Sequence, residues 1–146
     1  MQVYKINRTR KDYDVFPGQA TIGSAGYDLV ADIESPMMLE PGQRKIVPTG
    51  IAIALTPGCV GLVFSRSGLA SSSGLMLTNG VGVIDADYRG EVGCAVINMG
   101  DARVEIIPGM RIAQLVIMKH SEELPVFVTE LPASDRGING FGSTGK

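Results

Sequence analysis

Gly82-Val83-Ile84-Asp85-Ala86-Asp87-Tyr88-Arg89-Gly90-Glu91-Val92 sets two aspartates and a tyrosine between glycines and β-branched residues, and it reads as a strand ending in a tight loop. Val83 and Ile84 suit a pleated, half-buried surface, whereas Gly82 and Gly90 let the backbone turn or approach a ligand closely. Asp85 then stands where the strand gives way to the loop. A carboxylate there can orient or deprotonate a water, and the Tyr88 ring three residues on can pack against a flat or sugar-like molecule. A solvated turn, with an aspartate bonding its own backbone, uses the same residues.

The same grammar recurs along the chain. Pro-Gly occurs at Pro17-Gly18, Pro41-Gly42, Pro57-Gly58 and Pro108-Gly109, and such dipeptides mark turns. Between turns lie short β-branched runs, clearest over 44–47, 51–55, 60–64, 92–97, 104–107, 112–118 and 126–131. Ile51-Ala52-Ile53-Ala54-Leu55 alternates large and small side chains, as facing layers require. Residues 112–118 also place apolar groups at a helical spacing, but their β-branched content and the Pro-Gly before them predict a strand. One short helix is expected around Ser67 to Ser73, and Asn79-Gly80 is a hairpin signal. The predicted fold class is all-β, a jelly-roll-type sandwich with one short helix. Residues 1–132 form its domain and 133–146, Gly-rich and poor in apolar groups, a flexible C-terminal arm.

The chain has 146 residues, which suits one domain with a core that needs no disulfides. Cys59 and Cys94 suggest neither a disulfide framework nor a zinc site and read as buried thiols of a reducing compartment. His120 is the single histidine and lies in a polar stretch, so a multi-histidine metal site is excluded. A net charge of −2 and a pI near 5.3 argue against a general binder of nucleic acid or anionic membranes. No signal-peptide h-region and no apolar run of membrane-spanning length is present, so a soluble protein, cytoplasmic or otherwise intracellular, is expected. An anionic substrate must therefore meet a local basic site.

Four further stretches carry chemistry. Asp28, in Ala25-Gly26-Tyr27-Asp28-Leu29, is a candidate hard ligand for the water shell of a magnesium ion, or else an aspartate in a turn. In Ser65-Arg66-Ser67-Gly68-Leu69-Ala70, Arg66 offers a planar fork for phosphate oxygens, Ser67 a hydroxyl and amide, and Gly68 close approach. The alternative there is an ordinary helix N-cap by Ser65 or Ser67. Gln114, in Gly109-Met110-Arg111-Ile112-Ala113-Gln114-Leu115, can bond phosphate or metal-bound water, while Arg111 reads as structural. The tail 136–146 contains Gly140-x-x-x-x-Gly145-Lys146, but no strand leads into it and no chain remains to form the helix of a P-loop. Its glycines, Ser143 and Thr144 can still wrap phosphate oxygens.

In order along the chain, these five stretches resemble the five motifs of the trimeric deoxyuridine triphosphatase (dUTPase) family. That resemblance implies a homotrimer with three interfacial sites, hydrolysing dUTP to dUMP and pyrophosphate with Mg2+. It implies that Asp85 is catalytic, that Asp28 holds the metal through water, and that the metal is held mainly by substrate phosphates. Arg66, Ser67, Gly68 and Gln114 would bind phosphates. Asn79, Val83, Ile84 and, on the returning strand, Gly93 would read uracil. Tyr88 would lie under the deoxyribose and exclude a 2′-hydroxyl, and Arg136, Phe141, Gly142, Ser143 and Thr144 would close over a neighbouring subunit's site. Departures are Ser65 for a usual proline, Met110 for a polar residue, and Ile138-Asn139 for smaller residues. A dCTP deaminase of the same fold is the nearest alternative, with a glutamate expected as proton shuttle near the hairpin where this chain has Asp85. A sandwich that binds a nucleotide or protein without turnover is the other.

Overall fold

Glycine and proline punctuation divides the chain into short extended runs that can be satisfied only by pairing with one another. A computed structural model describes residues 1–6, 14, 16 and 18–140. Among them the strands are β1 (Gln2–Lys5), β2 (Tyr27–Val30), β3 (Met37–Leu39), β4 (Arg44–Ala54), β5 (Cys59–Ser65), β6 (Leu75–Leu77), β7 (Val81–Ile84), β8 (Glu91–Asn98), β9 (Val104–Ile106) and β10 (Arg111–Lys119). The helix α1 (Ser67–Ser73) lies between β5 and β6. Two antiparallel four-stranded sheets, in the orders β1-β4-β8-β6 and β2-β10-β5-β7, stand beside a separate two-stranded ribbon of β3 and β9.

Alternation places the core. On β8, Val92, Cys94, Val96 and Asn98 are buried while the residues between them face outward. Val92, Cys94 and Val96 meet Val47, Ile51 and Ile53 of β4 and Leu29, Val63 and Leu115 of the second sheet in one cluster shared by both sheets. This is the all-β, jelly-roll-type sandwich expected. Each fully buried aliphatic side chain contributes about 1.5–3 kcal/mol. Asn98 is buried and polar, as are Thr49 and Asp32, and its amide is fully occupied: Nδ2 donates to the carbonyls of Leu39 (2.9 Å) and Ala102 (2.8 Å), and Oδ1 accepts from the Gly100 amide (2.9 Å).

Four expectations need correction. The runs 44–47 and 51–55 are one strand, β4, broken only in register: Pro48 opposes Gly93, and pairing resumes at Ala52 opposite Glu91. Gly50 makes this bulge with φ 70°, and a side chain there would come within 2.5 Å of Asp32. Asn79-Gly80 does not close a hairpin, because β6 pairs with β8 and β7 with β5; the turn carries the chain from one sheet to the other. The run 126–131 forms no strand. Among the described residues it pairs with no strand, and Val126, Phe127, Val128 and Leu131 are exposed. Finally, Arg66 occupies the N-cap position of α1 with no side-chain cap, so neither Ser65 nor Ser67 serves there. Of the two thiols, Cys94 is buried and Cys59 only half-buried.

Candidate active site

The central position of β10 in its sheet assembles the first half of the site. Gln114 of β10 stands opposite Asp28 of β2 on one side and Phe64 of β5 on the other. Two residues past Phe64 the chain leaves β5, and Arg66 swings over β2 and β10. Its Nε lies 3.4 Å from Oδ1 of Asp28, and its Nη1 donates to the Arg111 carbonyl at 3.2 Å. Arg111 reaches the other oxygen, Nη1 to Oδ2 at 3.3 Å. Two guanidiniums against one carboxylate leave one formal positive charge, in a protein that is acidic overall. Gln114 donates from Nε2 to the Ser65 carbonyl (3.2 Å), leaving Oε1 beside Gly26, where a Cβ would stand 3.0 Å from it.

Asp28, Arg66, Ser67, Gly68 and Gln114 line one open cleft of about 720 Å³. Nothing stands within 4 Å of where a Gly68 side chain would point, so the backbone is open to close approach. Ser65, the departure from the usual proline, ties β5 to β6, its hydroxyl accepting the Leu77 amide at 2.9 Å.

The second half lies on β7, β8 and the loop 85–90 between them. The loop is closed by its own bonds. The Tyr88 amide donates to the Asp85 carbonyl (3.1 Å), and Arg89 Nη1 donates to the carbonyls of Ala86 (2.8 Å) and Tyr88 (2.9 Å). Asp85 and Tyr88 are both exposed. β7 is an edge strand bonded only to β5, and β8 belongs to the other sheet, so the two diverge instead of pairing. Among the described residues the second edge of β7 has no ladder partner, and Val83 is 62% exposed on it. Asn79 precedes β7, with Nδ2 over Gly82. Ile84 packs on the core, and Gly93 is exposed on β8.

Six expected residues, Asn79, Val83, Ile84, Asp85, Tyr88 and Gly93, thus gather on the diverging strands and their loop, and none lines the cleft of Asp28 and Arg66. Arg136 does not line the cleft; it sits in an exposed turn where Nε donates to the Asn139 carbonyl (3.1 Å). Phe141, Gly142, Ser143 and Thr144 lie outside the described residues. Sequence reasoning left Arg111 without a stated partner. Its place three residues before Gln114 on a strand was no sign that it would share Asp28 with Arg66.

The description "dUTPase" belongs to the family model that matches residues 12–145, nearly the whole chain. The chain belongs to the dUTPase family. Among curated relatives, this dUTPase is 50% identical to the deoxyuridine 5'-triphosphate nucleotidohydrolase of Desulfitobacterium hafniense strain DSM 10664 / DCB-2, across 97% of this chain and 95% of the relative. It is 47% identical to the protein of that name from Orientia tsutsugamushi strain Boryong, across 88% and 87%. Among solved structures, it resembles the dUTPase of Staphylococcus bacteriophage 80alpha with dUPNHPP, with a TM-score of 0.86, 29% identity and coverage of 99% and 98%. A mutant dUTPase of phage phi11 of S. aureus, described with a structural Mg(II) ion, gives a TM-score of 0.74 at 26% identity, covering 88% and 96%.

No group of three or more His, Cys, Asp or Glu could hold an ion among the described residues. Magnesium keeps several waters and binds through one or two carboxylates plus substrate phosphates. Among the described residues, Asp28 is the one carboxylate lining the cleft that could serve so, and in this structure its two oxygens face Arg66 and Arg111.

Proposed function

We propose that this dUTPase hydrolyses dUTP to dUMP and pyrophosphate at a site built from the two halves described above, brought together by different subunits of a homotrimer. The observation that carries this reading is their separation in one chain. The cleft of Asp28, Arg66, Ser67 and Gln114, with Arg111 beside it on the Asp28 carboxylate, suits a triphosphate, while Asp85, Tyr88 and the edge of β7 that is unpaired among the described residues suit a nucleoside. A second copy supplies the missing half. The segment 124–131 supports assembly too, since Leu124, Val126, Phe127 and Leu131 are about four-fifths or more exposed and would be covered by a neighbour.

Uracil lies against the diverging backbone of β7 and β8, with Val83, Ile84 and Gly93 presenting peptide groups and Asn79 its amide. Tyr88 packs beneath the deoxyribose and leaves no room for a 2′-hydroxyl. Asp85 accepts a proton from the water whose oxygen bonds to the α-phosphorus. The bond from that phosphorus to the bridging oxygen breaks, and pyrophosphate departs with the electron pair. Such a positioned base contributes about 10²–10⁴ in rate. Asp28 would hold the water shell of a bound Mg2+, which would supply neutralisation of phosphate charge. Arg66, Ser67, Gly68 and Gln114 hold the phosphates, and positioning with charge neutralisation is where most phosphoryl-transfer catalysis lies. The arm, residues 133–146, closes with Arg136, Phe141, Gly142, Ser143 and Thr144 over the bound nucleotide. Inside the cell the reaction lowers dUTP and supplies dUMP for thymidylate synthesis.

Mixing two inactive variants tests the shared site. Asp85→Asn and Arg66→Ala each lack one half, so exchanging subunits between them should restore part of the activity through trimers that contain one intact site. Two fully folded variants that exchange subunits and never regain activity would contradict it.

A further inference from the structure

Tyr88 does not hold its position by ring packing alone. Its hydroxyl donates to the Glu91 carbonyl at 3.1 Å, which folds the ring back across residue 90. Residue 90 is glycine, and a Cβ there would overlap the Tyr88 hydroxyl and stand 2.6 Å from Cζ, closer than real contacts allow. Gly90 is not at positive φ, so the glycine serves space and not backbone conformation. Glu91 is fixed in turn from the neighbouring strand: Oε1 accepts the Gly50 amide at 2.8 Å, at the bulge where Glu91 opposes Ala52.

We propose that Gly90 and Glu91 are the positioning residues of the sugar filter. Gly90 gives the Tyr88 ring its seat by lacking a side chain, and Glu91 pins the ring through its carbonyl while its carboxylate is anchored to the β4 bulge. The inference rests on the reading of Tyr88 as the group that excludes a 2′-hydroxyl. It assigns deoxyribose selectivity to two residues that touch no substrate. Displacing the ring opens the space a ribose needs, whereas a merely structural defect would slow both sugars alike.

The readout is kcat/KM for dUTP divided by that for UTP, with thermal unfolding of each variant as the folding control. Tyr88→Ala tests the underlying reading and should lower the ratio by about 10–200-fold, the range of one steric contact. Gly90→Ala should lower it comparably with the ring still present. Glu91→Ala should lower it as well, and Glu91→Gln, which keeps an oxygen for the Gly50 amide, should restore it toward the parent value. An unchanged ratio in Tyr88→Ala would overturn the filter and this inference together. A lowered ratio in Tyr88→Ala beside parental ratios in folded Gly90→Ala and Glu91→Ala would overturn the inference alone. Should Gly90→Ala fail to fold, the Glu91→Ala and Glu91→Gln pair decides.

Discussion

Arg66, just past β5, and Asp28 of β2 meet at the cleft wall, Nε to Oδ1 at 3.4 Å, so a carboxylate orients the guanidinium. Asp28 is largely buried, its side chain 12% exposed, which limits screening of the pair by water. Lysine carries the charge but not the fork. Arg66→Lys should lower kcat/KM for dUTP by about 10–100-fold, as expected for losing a charge-assisted hydrogen bond worth about 1.5–3 kcal/mol. Steady-state rates with Mg2+ measure it.

Asp85 begins the loop after β7 and is exposed, so replacing it removes no core contact. Asp85→Asn should therefore bind a non-hydrolysable dUTP analogue as the parent does while its turnover falls by about 10²–10⁴. Calorimetric titration beside single-turnover kinetics separates the two quantities, and parental turnover would remove Asp85 from its role.

Gly74 ends α1 at φ 70°, and a Cβ there would collide with the Gly100 amide nitrogen and stand 2.8 Å from the Gly100 Cα. The two backbones touch because neither residue has a side chain. Gly74→Ala should lose about 2 kcal/mol or more, through left-handed strain together with the clash. A lowered urea midpoint would show it.

Cys94 lies in the core, where burial pushes its thiol from the ordinary 9.0 up to about 12. Between those values the unfolded chain has released a proton that the folded chain keeps, so folding stability falls as pH rises through this window and is unaffected below it. Urea midpoints at pH 8 and pH 10 should differ more in the parent than in Cys94→Ala. Native protein should also expose only Cys59, half-buried near a strand end, to a thiol reagent.

Most of the architecture could be read from turn chemistry and β-branched runs, and α1 and β10 lie where their residues predict. Three-residue strands such as β3 and β6 are too short to show a period of two, and they exist because β9 and β8 lie beside them. The run 126–131 has the composition of a strand without a partner, and pairing is a property that no local sequence carries. Pro48 and Gly50 read as a break but make a bulge, since β8 continues on the other side. Of the site, the residue types pointed to phosphate and nucleoside chemistry. The resemblance implied sites between subunits, but it took the fold to show that Asp85 and Tyr88 do not line the cleft of Asp28 and Arg66 in one chain.

Release of pyrophosphate from dUTP, run with Mg2+ beside dTTP, UTP and dCTP, tests the central claim most directly. The divided site with its uracil edge and sugar filter predicts release from dUTP alone. No release from any of the four, by folded protein that still binds dUTP, would contradict it.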